Sequence, residues 1–314
     1  MTAAQIIQGF EVEAVVVFAI VGWRVLSQLL FTGTLGVLGC LFVGGLAVAI
    51  VGDPIANWGL TALYSDQFML LPAAMGWGLS PAQSWACVFA YPWCFPMMAY
   101  AGRWIARRLG GTSAPAGFLG GALVGAVLFT LAVPVTFVPR QVIVYQNAPP
   151  WPLTLFAGTP GQVQLLDVLG ITVFVGLLTA ILMPAAGQSR FERWLPRGVV
   201  GRAGVSSVVV LGLFLLAFSP ALAVRALGLD TAVGFAHSPF KTVPLYGQVE
   251  AYPQEVVKNF ITACTRNLDE GRCRCSIDAI RRRFTADEYH ALEMRAAKGD
   301  MPQELVAAVD ECRY

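Results

Sequence analysis

Over its first two thirds the chain alternates between long apolar stretches and short polar connections. A helix of about 20 apolar residues crosses the hydrocarbon core of a bilayer, so this pattern predicts membrane-spanning helices. Six are expected, at approximately Ile6–Leu30, Leu35–Val51, Pro81–Ile105, Gly117–Val138, Leu165–Met183 and Val205–Leu227. The pattern therefore predicts an all-α, polytopic membrane protein whose transmembrane domain covers residues 1–227.

Two further features concern the limits of these spans. The apolar stretch Phe68–Ser80 is short and interrupted by proline and glycine, so we expect a re-entrant or interfacial segment there. No Lys or Arg precedes the first apolar stretch, and Glu11 and Glu13 make its flank acidic. We therefore expect a membrane span at the N-terminus rather than a signal peptide.

Residues 228–314 have the polar pattern of a small extramembrane module. Three helices are expected there, at Pro253–Asn267, from the capping pair Thr285 and Glu288 to about Ala297, and at Pro302–Arg313. The module contains Cys264, Cys273, Cys275 and Cys312, and an even set of cysteines in such a module favours two disulfides. A bond between Cys273 and Cys275 would be strained, which leaves Cys264 paired with either of them and Cys312 with the other. A zinc site with four thiolates is the alternative.

Composition and charge support this division. Of the 314 residues, 56% are hydrophobic and 13% are charged, with a mean hydropathy of +0.64. Residues 1–226 carry ten basic and six acidic side chains, against eleven and thirteen in residues 227–314. The net charge of +2 provides no strong basic field, so no nucleic-acid partner is expected.

The arginines predict the orientation of the spans. They occur in every second connection, at Arg24, at Arg103–Arg108 and at Arg190–Arg202. Since cytoplasmic loops are enriched in Lys and Arg, we expect an integral protein of a bacterial cytoplasmic membrane with both termini outside. Disulfides form in that outer compartment, which favours them over zinc in the tail.

Small residues recur at four-residue spacing in the fourth span, at Gly117, Gly121 and Gly125. Such a ridge lets two helix backbones approach closely. Packing within the chain is the expected use, and a homodimer face is the alternative.

Candidate chemistry lies at the outer ends of the spans. The chain has two histidines and no nucleotide-binding, nucleophile-elbow or zinc-protease motif. Side chains capable of acid, base or hydrogen-bonding chemistry instead converge there: Asp53, Asn57, Tyr64, Asp66, Arg140, Tyr145, Gln162, Gln164 and Asp167. Asp53 and Asp167 can equally serve as helix caps or interfacial residues. Their proximity to Arg140 favours a site in which one carboxyl donates a proton, a carboxylate stabilises a cation and the arginine binds a carbonyl or an anionic headgroup.

Three segments of the sequence resemble the AveC-type spirocyclase family. GDPIANW (Gly52–Trp58), followed by Tyr64-Ser65-Asp66, is similar to that family's Asp-Pro…Asn…Tyr-Asn block. LFAGTPGQVQLLD (Leu155–Asp167) resembles its second block, and FAYPWCFPMMAYAGRWIARR (Phe89–Arg108) resembles its aromatic helix with a basic end. The resemblance covers roughly residues 10–245 and does not include the cysteine tail.

The resemblance implies a polytopic actinobacterial enzyme that closes a dihydroxy-ketone polyketide into a spiroketal, without a cofactor or metal. Asp53 and Asp167 would then be the acid and the cation stabiliser, in either order, with Arg140 on the carbonyl. Side chains expected to bind the hydrophobic substrate, a polyketide or lipid, are Asn57, Tyr64, Asp66, Tyr145, Gln162 and Gln164.

Two other classes of protein compete with this interpretation. A transporter predicts repeated halves with matched broken helices, and the chain has no internal repeat. A non-catalytic assembly or lipid-binding protein predicts that the outer tail docks a protein partner. The disulfide module favours this alternative, because spiroketal closure does not need one.

Overall fold

The computed structural model describes residues 2–71, 79, 83–150, 152–157, 159, 161–185, 188–232, 239–240, 243, 246, 254–266, 268–284, 286–310 and 312. The chain divides into two compact units, Met1–Val233 and Gly234–Tyr314. Each unit is described by itself.

The first unit is a helical bundle. Its helices are α1 (Ala3–Thr32), α2 (Val37–Ala47), α3 (Asp53–Leu60), α4 (Trp85–Arg108), α5 (Ala114–Ala132), α6 (Leu165–Leu182), α7 (Arg190–Trp194) and α8 (Val199–Ala226). A π-helical turn at Val48–Gly52 joins α2 to α3. A second π-helical turn at Val133–Phe137 and a 3-10 turn at Val138–Arg140 extend α5.

Among the described residues, five helical segments are long and apolar enough to cross a membrane: Ala3–Thr32, Val37–Leu60, Ala114–Arg140, Leu165–Leu182 and Val199–Ala226. The prediction of an all-α integral membrane protein is confirmed. The third expected span corresponds to α4, whose 24 residues give a length of about 36 Å. It is less apolar than the others because tryptophan, tyrosine and proline interrupt its apolar residues, and three arginines lie in its last six positions.

The second span differs from its prediction. We expected it to end at Val51, with Asp53 in the following loop, but the helical segment continues to Leu60. Asp53 and Asn57 therefore lie within the helical bundle and are buried. Most of the stretch Phe68–Ser80, expected to be re-entrant, lies outside the described residues.

The glycine ridge of α5 packs within the chain, as expected. A Cβ atom at Gly121 would lie 2.5 Å from the carbonyl oxygen of Val175 and would also collide with Thr179, both on α6. Gly117 and Gly125 face Met183 and Ile171 in the same way. The ridge is therefore covered by α6, and the homodimer alternative is not needed to explain it.

Short strands connect the helix ends. They pair antiparallel as β1 (Ala62–Tyr64) with β2 (Ile143–Tyr145), β3 (Asn147–Ala148) with β8 (Thr231–Ala232), β4 (Thr154–Leu155) with β5 (Val163–Gln164), and β6 (Pro184–Ala185) with β7 (Gln188–Ser189). The pairing of β1 with β2 places the connection after α3 beside the connection after α5. Tyr64 lies opposite Ile143, and Tyr145 lies opposite Ala62.

The second unit contains α9 (Gln254–Cys264), α10 (Glu270–Arg283), α11 (Ala286–Ala297) and α12 (Gln303–Asp310). The sequence analysis did not predict α10, which begins after Asp269, whose side chain accepts a hydrogen bond from the Arg272 amide. The expected capping residue of α11, Thr285, lies outside the described residues. Ile280, Tyr289 and Ala308 form a small core between helices.

Disulfides join Cys264 to Cys273 and Cys275 to Cys312, at Cα–Cα distances of 5.8 Å and 5.9 Å. The prediction of two disulfides is confirmed, and the structure selects one of the two pairings that the sequence left open. Because Cys275 lies on α10 and Cys312 follows α12, the second bond fixes the end of the chain to α10.

We expect the Cys275–Cys312 bond to stabilise the second unit more than the Cys264–Cys273 bond does. The sequence separations are 37 and 9 residues, and loop-closure entropy gives about 4 kcal/mol against about 2.5 kcal/mol. Paired Cys→Ala variants of the full chain, compared by proteolysis of the tail at increasing urea concentrations, measure the difference. Equal urea midpoints would contradict this order.

Candidate functional site

An internal cavity of about 220 Å³ lies in the first unit. Its polar lining consists of Asp53, Asn57, Tyr64, Tyr91 and Asp167, with the thiols of Cys87 and Cys94. The rest of the lining is apolar or aromatic: Phe10, Ala56, Leu60, Ala62, Phe68, Ala90, Trp93, Phe95, Met98, Leu128, Phe129, Ala132, Val133, Phe137, Ile143, Ile171, Phe214 and Phe218. Two carboxyl groups therefore face one largely apolar space.

The local sequence explains why Asp53 is buried within a helix. The amide of Asp53 donates to the Val48 carbonyl, five residues back, and Pro54 has no N–H to give to Ala49. The Ala49 carbonyl is thus left without a helical partner, and a buried carbonyl requires one. The Gln83 amide supplies it, at 2.8 Å from Nε2 to the carbonyl oxygen. The same Nε2 atom also donates to Asp53.

Asp53 accepts three hydrogen bonds. They come from Tyr91 Oη to Oδ1 at 2.6 Å, and from Asn57 Nδ2 and Gln83 Nε2 to Oδ2, each at 3.0 Å. Three donors on one carboxyl group suit its ionised form, which only accepts hydrogen bonds. Asp53 therefore has the surroundings of a fixed negative charge in an apolar wall.

Asp167 has a different environment. It lies in the first turn of α6, close enough to Asp53 for the two charges to interact. Among the described residues, the Tyr145 hydroxyl on β2 donates a hydrogen bond to the Asp167 carboxyl group. Burial, and next the neighbouring Asp167, raise the pKa of Tyr145 well above its usual range, so this phenol stays neutral and donates.

Tyr64 is the third tyrosine around the cavity. It lies on β1, is buried, and accepts a hydrogen bond from the Cys87 thiol at 3.6 Å. Burial, and then the charge of Asp53, raise the pKa of Tyr64 well above its usual range. A neutral hydroxyl at this position can donate to or accept from a bound oxygen.

Several predicted site residues lie outside the cavity lining. Arg140, expected beside the carboxyl groups, is exposed and donates to the carbonyls of Val135 and Thr136, so it caps the end of its own helical segment. Asp66 is half-buried and does not line the cavity. Neither side chain therefore lines the cavity that Asp53 and Asp167 share, and a contact of either with substrate stays a prediction.

Three more predicted site residues form hydrogen bonds around the cavity without lining it: Tyr145, Gln162 and Gln164. Gln162 donates to the Tyr145 carbonyl. Gln164 donates to the carbonyls of Leu60 and Asn147, at 2.6 Å each, which joins the end of α3 to the connection after α5. These buried amides donate to backbone carbonyls and do not line the cavity, so their expected role in binding substrate stays a prediction.

Sequence reasoning missed Tyr91 and Gln83, the other partners of Asp53. Tyr91 had a detectable signal, because a hydroxyl in the middle of an apolar helix requires a buried partner. Gln83 had none, because it lies in a connection whose path depends on the fold.

The fold and the cavity define a polytopic helical membrane protein with two carboxyl groups facing an internal apolar cavity. No protein-family model, curated protein or solved structure matches the chain. Among the described residues, no three histidine, cysteine or acidic side chains are grouped so that they could hold a metal ion.

Proposed function

We propose that the first unit is an enzyme that catalyses acid-assisted cyclisation and dehydration of a hydrophobic polyketide or lipid, of the spiroketal-forming kind. The observation that carries the proposal is the pair of buried carboxyl groups, Asp53 and Asp167, on the wall of one apolar cavity. The resemblance of the segments around both residues to the AveC-type spirocyclases supports the same chemistry.

The reaction suits this environment. One hydroxyl of a dihydroxy-ketone adds to the carbonyl, and the resulting hemiketal hydroxyl is protonated and leaves as water. The second hydroxyl captures the oxocarbenium ion and gives up its proton, so the net change is the loss of one water. The steps need a proton donor, a negative charge near the cation and a surrounding that excludes bulk water.

The hydrogen bonds favour a division of roles between the two carboxyl groups. Asp53, with three donors, is the carboxylate that stabilises the cation. Asp167, with the Tyr145 hydroxyl as its partner, is the acid that protonates the leaving hydroxyl and later recovers the proton. Asn57 and Tyr64 line the same space and orient the substrate hydroxyls.

The size of the cavity supports a substrate that is only partly enclosed. Pockets for drug-sized ligands have volumes of about 300–1,000 Å³, against about 220 Å³ here. The cavity thus takes the segment that cyclises, and the remainder of a longer chain lies outside it. With both termini outside in a bacterial cytoplasmic membrane, the carboxyl groups lie toward the outer end of the bundle.

Comparison of cell extracts tests the proposal. We would compare the metabolites and lipids of the natural host lacking the gene with those of strains complemented with the wild type or with the Asp53→Asn, Asp167→Asn double variant. The expected result is a compound that accumulates in the first and third strains and is heavier by one water than a product made only by the second.

Identical profiles in all three strains, with both proteins present in the membrane, would refute the enzymatic function. The alternative, an assembly or lipid-binding role with a protein partner at the tail, would then be tested by co-purification.

A further inference from the structure

The side chains that line the cavity differ in how far they are exposed at the surface of the protein. Asp53 and Asp167, which form the inner part of the cavity wall, are 3% and 9% exposed. Three other lining side chains are less buried: Phe10 of α1 and Cys94 of α4 are half-buried, and Leu128 of α5 is 46% exposed. All five side chains line the same space. The cavity therefore approaches the protein surface on the side of α1, α4 and α5.

That surface faces lipid. Leu128 lies in the middle of a segment long and apolar enough to span a membrane, and exposed neighbours on α5, such as Leu131, are apolar. In the most apolar part of α1, only 6% of the residues are buried, so this helix lies at the periphery of the bundle. The exposed side of a spanning helix meets hydrocarbon rather than water.

Aromatic contacts close the space between α1 and the end of α5. The ring of Phe10 meets that of Phe137 edge-on, with centroids 5.8 Å apart, and that of Phe68 at 6.5 Å. Such contacts between side chains are weak, about 0.5–1.5 kcal/mol beyond the burial of their area. A modest rearrangement of Phe10 therefore opens this side of the cavity.

We propose that the cavity takes its ligand sideways from the bilayer, between α1 and α5 past Phe10 and Leu128, so the substrate is a molecule dissolved in the membrane. The inference rests on the proposed function for what happens to that molecule. It adds the class of substrate, which is an apolar chain carrying hydroxyl and carbonyl oxygens. The apolar entry admits the chain, and the inner carboxyl groups receive its oxygens.

Two native thiols report on the route. Cys87 and Cys94 both line the cavity from α4, two helical turns apart. Cys87 is buried, lies nearer the N-terminus of α4 and contacts Tyr64. Entry from lipid on the α1 and α5 side reaches the half-buried Cys94 first. Entry from water through the connections near Tyr64, at the N-terminal end of α4, reaches Cys87 first.

The experiment measures alkylation of each thiol in the full-length protein in lipid vesicles, with peptides identified by mass spectrometry. One reagent is a maleimide with a long alkyl chain, and the other is a sulfonated maleimide that does not enter bilayers. The ratio of the two rates at a single thiol cancels the intrinsic reactivity of that thiol. We expect Cys94 to react several-fold faster with the alkyl reagent, and before Cys87. Sulfonated reagent that reacts with either thiol as fast as the alkyl reagent would overturn the proposal.

Substitutions at the entry give a second measurement. Leu128→Trp is expected to slow alkylation of Cys94 by the alkyl reagent several-fold, and Leu131→Trp, on the same exposed side of α5 but outside the cavity lining, is its control. Phe10→Ala is expected to accelerate it, with Phe31→Ala, 90% exposed on the same helix, as the control. Equal rates in both variants and their controls would overturn the lateral route.

These readouts separate the two proposals, because alkylation requires no turnover. Lateral labelling together with full activity of the carboxyl variants would remove the enzymatic function and leave the entry route intact. Aqueous labelling together with inactive carboxyl variants would remove the lateral route and leave the chemistry intact.

Discussion

Replacing Asp167 with asparagine is expected to lower turnover by about a hundredfold to ten-thousandfold, the usual contribution of a general acid. An amide has no comparable proton to donate to the leaving hydroxyl. The protein should still fold, because the asparagine oxygen can accept the hydrogen bond from Tyr145. Product formation in membranes, normalised to the amount of folded protein, gives the measurement once the substrate is known.

Asp53→Asn is expected to differ in one respect, because it should reduce stability as well as turnover. Its carboxyl accepts hydrogen bonds at both oxygens, and the NH₂ group of asparagine would face donors such as Gln83 and Asn57. Leaving buried donors unpaired costs about 1–3 kcal/mol each. A lower melting temperature in detergent than that of Asp167→Asn is the expected readout.

A matched control for both variants is Asp269→Asn. Asp269 caps α10 in the second unit, and asparagine caps helices as well as aspartate does. It should leave both turnover and stability unchanged. Activity in Asp167→Asn equal to that of this control would show that Asp167 is not the acid, whatever the result at Asp53.

Gly121→Leu is expected to prevent the bundle from folding. Even a Cβ atom at this position would collide with Thr179 and lie 2.5 Å from the Val175 carbonyl, and the backbone of Gly102 on α4 also packs here. Extra methylene groups in a packed interior cost about 1–3 kcal/mol, and a backbone contact leaves less room to adjust. The measurement is the yield of monodisperse protein after extraction from the membrane.

Gly212→Leu is the matched control. Gly212 lies in the interior of α8, is exposed, and has no described atom within 4 Å of where a Cβ would be placed. Leucine favours helix over glycine by about 1 kcal/mol, so this variant should fold at least as well as the wild type. Normal yield of Gly121→Leu would show that α5 and α6 do not pack through the glycine ridge.

Much of the membrane architecture could be predicted from the sequence, because the bilayer imposes a simple requirement of length and apolarity on each span. The limits of the helices at Leu165–Leu182 and Val199–Ala226 differ from the expected ones by at most six residues, and the start at Leu165 matches. The second span was the exception. It was expected to end at Val51, whereas a wider turn at Val48–Gly52 and the Gln83 side chain continue the helix past Pro54. The helix α10 was missed although Cys273, Ile277 and Ile280 recur at helical spacing and are buried, because most of its other residues are polar or charged.

The candidate site was predicted in part. Asp53, Asn57, Tyr64 and Asp167 do line one cavity. Arg140 was expected beside them because it lies at the same end of the bundle. The sequence indicates at which end of a span a residue lies, but not the direction in which its side chain points. Arg140 caps its own helix instead. Tyr91, the nearest donor to Asp53, comes from a predicted span in which the sequence analysis placed no site residue.

The sequence by itself determined that this chain crosses a membrane, that residues 228–314 form a polar module with four cysteines and that acidic side chains lie near the span ends. Those properties follow from composition and periodicity, which are local along the chain. The tertiary structure decided which disulfides form, that Asp53 and Asp167 share a cavity and that the cavity approaches lipid between α1 and α5. Contacts between residues distant in sequence depend on how the helices pack, and local patterns do not encode that packing.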